Sequence, residues 1–477
     1  MRLSTKVAYN TIIQIISKII ATILGLIAIA VMARYLGREG FGQYTTIVTF
    51  LSFFGIIADL GLTLITVQMI SQPNVDENKI LSNLFSLRLI SAVVFLGIAP
   101  LTVIFFPYEP IIKLGVAIAS LSFFFIALNQ ILTGLFQKNL RMDKVSIAEV
   151  AGKIILAAGV ILVYYLDLGL LNMLVAAVAA SAVNFLLHYL FSRRFARIKL
   201  CFDFAVWREI AKKSWPLAIT IIFNLIYLKT DTLLLSLIKR PSEIGIIAEV
   251  GIYGAAYRVI DVLITMPFMF AGLILPILTA RWAKGEKQGF NNVLQKSFDM
   301  MAMFAIPLVV GAQFTAKDIM VLVAGPDFEA SGPILQVLIA AAGIIFLGCM
   351  FAHAIIALDK QKKIIGFYIF TAVTAVIGYL ILIPRYSYFG AAWVTIYSEI
   401  TIALASFYLV WKYSGFLPSL KPTAKILAAS LVMAGALYSA SGWNLFLALA
   451  LATAVYFITL YLFKGITKED ITSLLNK

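Results

Sequence analysis

The stretch FGQYTTIVTFLSFFGIIADLGL, residues 41–62, decides the fold class. Asp59 is its only charged residue. At 1.5 Å per residue a helix of this length crosses a hydrocarbon layer about 30 Å thick. Comparable apolar runs recur on both sides from end to end, with no segment of soluble-domain size between them. Of the 477 residues 62% are hydrophobic and 13% charged, against roughly 45–50% apolar in soluble domains. The chain therefore reads as an all-α polytopic membrane protein. Fourteen spans are predicted, at 8–36, 42–69, 84–106, 111–136, 146–166, 169–192, 214–238, 250–280, 293–315, 333–358, 364–384, 388–412, 423–441 and 443–463. The N-terminal run is read as the first span rather than a signal peptide, because it is long, contains Lys18 and leads into ARYLGREGFG without a cleavage site.

Charge sets the orientation. Five of the 38 Lys and Arg lie inside spans: Lys18, Arg88, Lys153, Lys229 and Arg258. Counting residues at span ends with the loops, the alternate segments that include both termini hold 26 of the rest and the opposite loops 7. That excess is a positive-inside signal, placing both termini in the cytoplasm and the protein in the cytoplasmic (inner) membrane. The net charge of +15 then reflects topology and contact with anionic lipid, and no nucleic-acid-reading module is visible. Cys201 and Cys349 are too far apart in predicted depth for a disulfide, and His188 and His353 are read as packing or interfacial residues, so no metal is expected.

The opening stretch has an echo, VGIYGAAYRVIDVLITMPFMFAG at 250–272, and both begin apolar-Gly-x-Tyr. A second echo joins 159–194 to 378–412. Each half has six spans, so the repeat is parallel, an arrangement that places substrate sites between halves in many transporters. The predicted organisation is an N-terminal six-helix lobe (1–197), a basic amphipathic linker (198–213), a second six-helix lobe (214–413) and two further helices with a tail (418–477).

Intramembrane charge is costly, about 2.5–3.5 kcal/mol at a helix centre on insertion scales, so each such residue needs a reason. Lys18 and Asp59 fall at the same depth on adjacent spans. Asn10, Gln14, Lys18 and Thr22 share one face, as do Thr45, Thr49, Ser52, Asp59, Thr63 and Thr66. Lys18 with Asp59 is therefore a candidate interhelical pair. Glu149 and Lys153 are spaced for a local i,i+4 pair. Arg88, near a span end, is placed either to snorkel or to face a cavity. In the second half Arg258 and Asp261 sit one turn apart, Asp231 lies on a stripe with Thr220, Asn224 and Tyr227, and Glu399 has no obvious partner. The proposed cavity cations are Lys18, Arg88, Lys153 and Arg258. The acidic or coupling candidates are Asp59, Asp231, Asp261 and Glu399. Pro267, Pro276 and Pro307 are read as kinks.

RYLGREGFGQYTTIVTFLSFFGIIADLGL (34–62) resembles the second-helix signature of polysaccharide-export flippases, the Wzx-like proteins of O-antigen and capsule assembly, in the multidrug/oligosaccharidyl-lipid/polysaccharide exporter (MOP) superfamily. YLKTDTLLLSL (227–237), VGIYGAAYRVIDVL (250–263), GPDFEASGPILQVLIAA (325–341) and IPRYSYFGAAWVTIYSE (383–399) extend the resemblance over nearly the whole chain. The resemblance implies a V-shaped two-lobed bundle whose cationic cavity admits the diphosphate and sugars of a polyprenyl-linked oligosaccharide, with the lipid tail left in the bilayer. Peptidoglycan-lipid flippases are usually richer in arginine along their first helices, where this chain has Lys18.

The expected function is thus a non-enzymatic flippase. Its partners would be a polyprenyl-diphosphate-linked glycan, membrane lipids and other polysaccharide-assembly proteins, with a monomeric state. No cofactor is expected, and coupling to H+, Na+ or membrane potential is open. There is no Gly-Lys nucleotide loop. A cation-coupled drug exporter of the same superfamily would favour acidic cavity groups. An oligosaccharide polymerase or ligase would need a sizeable polar outer loop, whereas KRPSEIGIIAEVG and TAKDIMVLVAGPDFEASG are short and partly apolar.

Overall fold

The computed structural model describes residues 3–59, 61–71 and 76–465, with all their side chains except those of 3–12, 15, 64, 216, 217 and 220. The side chains of Asn10 and Thr220, and the tail 466–477, thus lie outside the described residues. Every regular element described is helical: α1 (Leu3–Asp59), α2 (Leu62–Ile70), α3 (Glu77–Thr102), α4 (Pro110–Lys138), α5 (Met142–Tyr165), α6 (Gly169–Ser192), α7 (Phe204–Leu237), α8 (Ile246–Leu263), α9 (Thr265–Ala283), α10 (Lys287–Ala324), α11 (Ser331–Ala357), α12 (Gln361–Ser414), α13 (Lys421–Ser439) and α14 (Leu445–Leu462). Among the described residues, ten stretches are long and apolar enough to cross a bilayer. Their exposed faces carry apolar stripes at helical spacing, such as Phe370, Val373, Ile377, Leu380 and Ile381 on α12, a surface that hydrocarbon solvates and water does not. The protein is a multi-pass membrane protein.

Two of the long helices fold back on themselves. At 1.5 Å per residue the 57 residues of α1 would reach about 85 Å, far more than one crossing needs. The break is at Gly37, whose φ of 64° and ψ of −173° are open to glycine and to few other residues. Before it, α1 runs alongside α5 in the same direction, through Ser17–Ser146 (2.7 Å), Lys18–Glu149 (3.2 Å) and Tyr35–Asp167 (2.6 Å). After it, the chain runs alongside α4, through Ile47 against Gly115 and Thr63 against Gln130 (3.2 Å). A tight turn through Leu140 (φ 50°) reverses α4 into α5, so the two parts of α1 are antiparallel. In α12 the reversal is at Ser387 (φ 49°, ψ −131°), and Tyr397 Oη donates back to Thr374 at 3.0 Å. With both hairpins opened, α2 joined to the second part of α1, and α8 with α9 taken as one crossing, the described helices supply fourteen segments.

Two predicted spans are not continuous, and the second, 42–69, breaks between Asp59 and Leu62. The eighth, 250–280, is interrupted between Leu263 and Thr265, giving α8 and α9, and Thr265 Oγ1 donates to the Val262 carbonyl at 2.6 Å. Its break falls at Ile264, three residues before Pro267, because the proline has no N–H for the Leu263 carbonyl and its ring crowds that group. The basic linker, 198–213, runs into a helix. Residues 204–214 form the first turns of α7, and only the short stretch before Phe204 is extended.

Contacts divide the chain into two compact units, Met1–Gly251 and Ile252–Lys477. In the first, one core of Leu62, Ile65, Leu81, Leu84, Ile131, Leu135 and Phe136 gathers α2, α3 and α4, and another of Ile47, Phe50, Leu51, Val103, Ile112 and Leu174 gathers α1, α3, α4 and α6. In the second, Phe290, Leu294, Phe346 and Met350 join α10 to α11, while Ala429, Met433, Ala452 and Tyr456 seat α13 and α14 beside Ala302 of α10. Within the first unit the repeat-related glycines Gly42 and Gly251 meet backbone to backbone. A Cβ on Gly42 would lie 1.8 Å from the Ile247 carbonyl oxygen, and one on Gly251 2.0 Å from that of Arg38. The α7–α8 connection beside them is closed by the buried pair Arg240–Glu249, with Arg240 Nη1 also donating to the carbonyls of Leu235 (2.8 Å) and Ile238 (2.9 Å).

Candidate functional site

The polar residues of the first unit converge where α1 gives way to α2. The break follows Asp59, with Gly61 at φ 75°, and it leaves backbone groups to be satisfied in a setting without water. Ser91 of α3 donates to the Ala58 carbonyl at 2.8 Å. Asp59 Oδ1 accepts from the Thr63 amide (3.3 Å) and hydroxyl (2.5 Å). Arg88 closes the node from α3. Its Nη1 lies 2.9 Å from Asp59 Oδ1, an ion contact rather than an aligned hydrogen bond. Its Nε donates to the Ala127 carbonyl at 3.0 Å and its Nη2 to Gln130 Oε1. Gln130 also accepts from Thr63. One guanidinium therefore ties α1, α3 and α4 together. With a side-chain exposure of 1%, Arg88 does not snorkel. Its length is spent inward because Asp59, a broken helix and the Ala127 carbonyl offer it acceptors there.

Around this node lies a cavity of about 450 Å³, lined by Ser52, Gly55, Asp59, Thr63, Arg88 and Gln130 among others. A second cavity of about 380 Å³ lies between α4, α5 and α6, lined by Ser122, Asn129, Thr133, Glu149, Lys153 and Asn184 among others. Both are lined by Ile126 and Gln130, so the two form one polar region. Asn129 Nδ2 donates to Asn184 Oδ1 at 3.2 Å, and the hydroxyls of Ser122 and Ser181 are 2.7 Å apart. His188 Nδ1 lies 3.0 Å from the Asn184 carbonyl, a group that only accepts, so Nδ1 is the donor there.

The candidate residues do not pair as their depths suggest. Lys18 bonds to Glu149 (3.2 Å), with side-chain exposures of 43% and 32%, and Asp59 goes to Arg88. Equal depth places residues on one level but leaves azimuth open, and α1 turns Lys18 toward α5. Glu149 thus makes its ion pair across helices and not with Lys153 one turn on. Lys153 extends toward α1, its Nζ 3.7 Å from where a Cβ on Gly25 would sit. Lys18 lines neither cavity but joins them through Glu149, and counting it with Arg88, Lys153, Asp59 and Glu149 gives this set one net positive charge.

Asp231, on α7, lines neither cavity. It is completely buried, with Oδ1 2.5 Å from the Thr232 amide and 3.1 Å from its hydroxyl. In the second unit Arg258 and Asp261 pair at 3.6 Å along α8. Glu399 on α12 is 7% exposed and makes no hydrogen bond or ion pair among the described residues. Also among the described residues, no group of three His, Cys, Asp or Glu side chains could hold a metal ion. The reading of charges alone missed Ser122, Asn129, Gln130, Thr133, Ser181 and Asn184. Their signal is uncharged but regular: 122, 129 and 133 on α4, and 181, 184 and 188 on α6, recur at helical spacing.

The sequence profile described as "Polysaccharide biosynthesis protein" matches residues 7–282, which include every residue of this site. The chain belongs to the polysaccharide biosynthesis protein family. No curated protein matches the sequence of this family member. Among solved structures it is similar to the lipid II flippase MurJ in an inward closed conformation, with TM-score 0.77 at 17% identity over 96% of this chain and 98% of that one. It is also similar to an inward-facing multidrug-resistance MATE transporter of the MOP superfamily, with TM-score 0.66 at 15% identity over 88% and 96%. A third match is the MATE multidrug transporter DinF-BH, with TM-score 0.60 at 16% identity over 87% and 97%. At these identities the likeness is one of fold.

Proposed function

We propose that this member of the polysaccharide biosynthesis protein family is a flippase. It carries a polyprenyl-diphosphate-linked oligosaccharide from the cytoplasmic to the outer leaflet of the inner membrane by alternating access, for surface polysaccharide assembly. The observation that supports this is the gathering of Lys18, Arg88 and Lys153 with Asp59 and Glu149 around one polar region. A diphosphate cannot enter hydrocarbon bare, because stripping its hydration is prohibitive. Fixed cations, with the amides and hydroxyls of Ser122, Asn129, Gln130 and Asn184, replace that water for the diphosphate and its sugars.

Roles divide by burial. Lys18 and Lys153 are the cations offered to the diphosphate. Arg88 is committed to Asp59 and positions Gln130. Arg258 is the matching cation of the second unit. With a cytoplasm-negative potential, outward movement of two negative charges is favoured by roughly 4.6 kcal/mol per 100 mV, from about 2.3 per charge. Asp59 is occupied, so Glu399 is the carboxyl assigned to H+ or Na+ coupling. The positive-inside charge distribution supports a cytoplasmic position for both termini.

The test is reconstitution in liposomes with a fluorescent polyprenyl-diphosphate oligosaccharide, reading its accessibility to an impermeant reagent on the opposite face. Wild type should translocate it, and Lys18→Ala and Lys153→Ala should lose most of the rate while remaining folded. Normal transport by both variants would refute the cavity assignment. A wild type inactive on several such lipids but active on organic cations would establish a drug exporter instead.

A further inference from the structure

Five basic side chains at the α3–α7 end of the first unit have carboxylate partners. Lys79 pairs with Asp203 (2.7 Å), Lys138 with Glu77, Arg141 and Lys144 with Asp143, and Lys213 with Glu209 (2.7 Å). Arg193, Arg194, Arg197 and Lys199 differ. All four are exposed, and none has an ion pair among the described residues. Arg193, Arg197 and Lys199 line a recess of about 320 Å³ together with Tyr189, Ser192 and Ile198, and no acidic side chain lines it.

This segment is held in place. Alternate backbone amides along it are read by polar side chains of α3: Arg197 donates to Asn78 (2.9 Å), Lys199 to Ser82 (3.1 Å), Cys201 to Ser86 (2.8 Å) and Asp203 to Asn83 (2.9 Å). In an extended chain successive side chains alternate between faces. Arg197 and Lys199 therefore project together into the recess, with Leu200 and Phe202 on the other side of the chain. Leu200 is 59% exposed, Phe202 54% and Phe204 74%. A preorganised cationic recess thus lies beside an exposed apolar edge.

We propose that residues 193–199 form a binding site for the phosphate of an anionic phospholipid, whose acyl chains lie along Leu200, Phe202 and Phe204. Charge complementarity selects an anion, and the apolar edge selects one that carries hydrocarbon. A soluble phosphate would satisfy the cations and leave that edge uncovered. The proposal stands independently of the transported substrate.

The test uses the full-length protein in neutral detergent, titrated with phosphatidylglycerol or phosphatidylcholine, with bound lipid counted by native mass spectrometry. Wild type should prefer phosphatidylglycerol. The triple variant Arg193→Gln/Arg197→Gln/Lys199→Gln should lose about a hundredfold in affinity, from about fivefold per charge. Arg208→Gln/Lys212→Gln/Lys213→Gln, with the same change in net charge, should stay within about threefold of wild type. Inorganic phosphate at millimolar concentration should not compete. Equal losses in both triples, no preference for the anionic lipid, or displacement by phosphate would each overturn the site. If the first triple fails to fold, the three single variants are measured instead, and a drop under twofold in each refutes the proposal.

Discussion

Replacing Arg88 by methionine tests the node on which the site is built. The substitution keeps much of the volume and removes three interactions at once: the 2.9 Å contact to Asp59, the 3.0 Å bond to the Ala127 carbonyl and the bond to Gln130. Each lost hydrogen bond counts for about 1 kcal/mol. The larger effect is on Asp59, 12% exposed, which is left ionised with only Thr63 to solvate it. Breaking a buried pair from one side costs about 3–5 kcal/mol, so Arg88→Met should destabilise the protein by about 4 kcal/mol. Asp59→Asn removes the stranded charge, and the double variant should recover at least about 2 kcal/mol relative to Arg88→Met. Equilibrium unfolding in mixed micelles with increasing sodium dodecyl sulfate, applied as a double-mutant cycle, reads both quantities. A loss below about 1 kcal/mol for Arg88→Met, or strict additivity in the double variant, would refute the claim that the guanidinium holds the helix break through Asp59.

Other consequences follow from the same contacts. Gly42→Ala puts a methyl 1.8 Å from the Ile247 carbonyl oxygen and should destabilise by about 1–3 kcal/mol or more. Gly97→Ala meets nothing within 4 Å and should be neutral or stabilising by up to about 1 kcal/mol, so equal effects on detergent melting would contradict the packing described. The half-exposed pair Lys18–Glu149 should contribute about 0–1 kcal/mol, and Glu149→Gln should leave unfolding nearly unchanged while altering transport. Outside the spans, the hydrogen bond from Lys79 holds the Asp203 carboxyl below its ordinary range. The stability it adds is present above that range and lost as pH falls through the lowered native value. Amide hydrogen exchange in residues 197–203 should therefore stay slow at pH 5 and accelerate below about pH 4, the ordinary aspartate value, with Lys79→Gln shifting the onset upward.

The class of fold was legible because length and hydropathy act locally. An apolar run of the right length has few options in a bilayer beyond a helix, so the spans were countable, and the helical period exposed the stripes containing Lys18 and Asp59. The turns at Gly37 and Ser387 were also marked by the boundaries between runs. The break after Leu263 was placed too far along, because a proline's missing N–H and its ring act on the carbonyl four residues before it. Gln130, Asn129 and Asn184 went unread because an amide in an apolar run carries no charge to draw notice.

The sequence by itself determined that the chain is a multi-pass helical membrane protein with intramembrane charges in its first half, since transfer free energies and helical rise depend on composition and spacing alone. Only the tertiary structure decided which charges meet. Depth is set by position along a helix, but azimuth is set by how neighbouring helices pack. That rotation sent Lys18 to Glu149, gave Asp59 to Arg88, and turned an arginine four residues into a predicted span away from the membrane surface and into the interior.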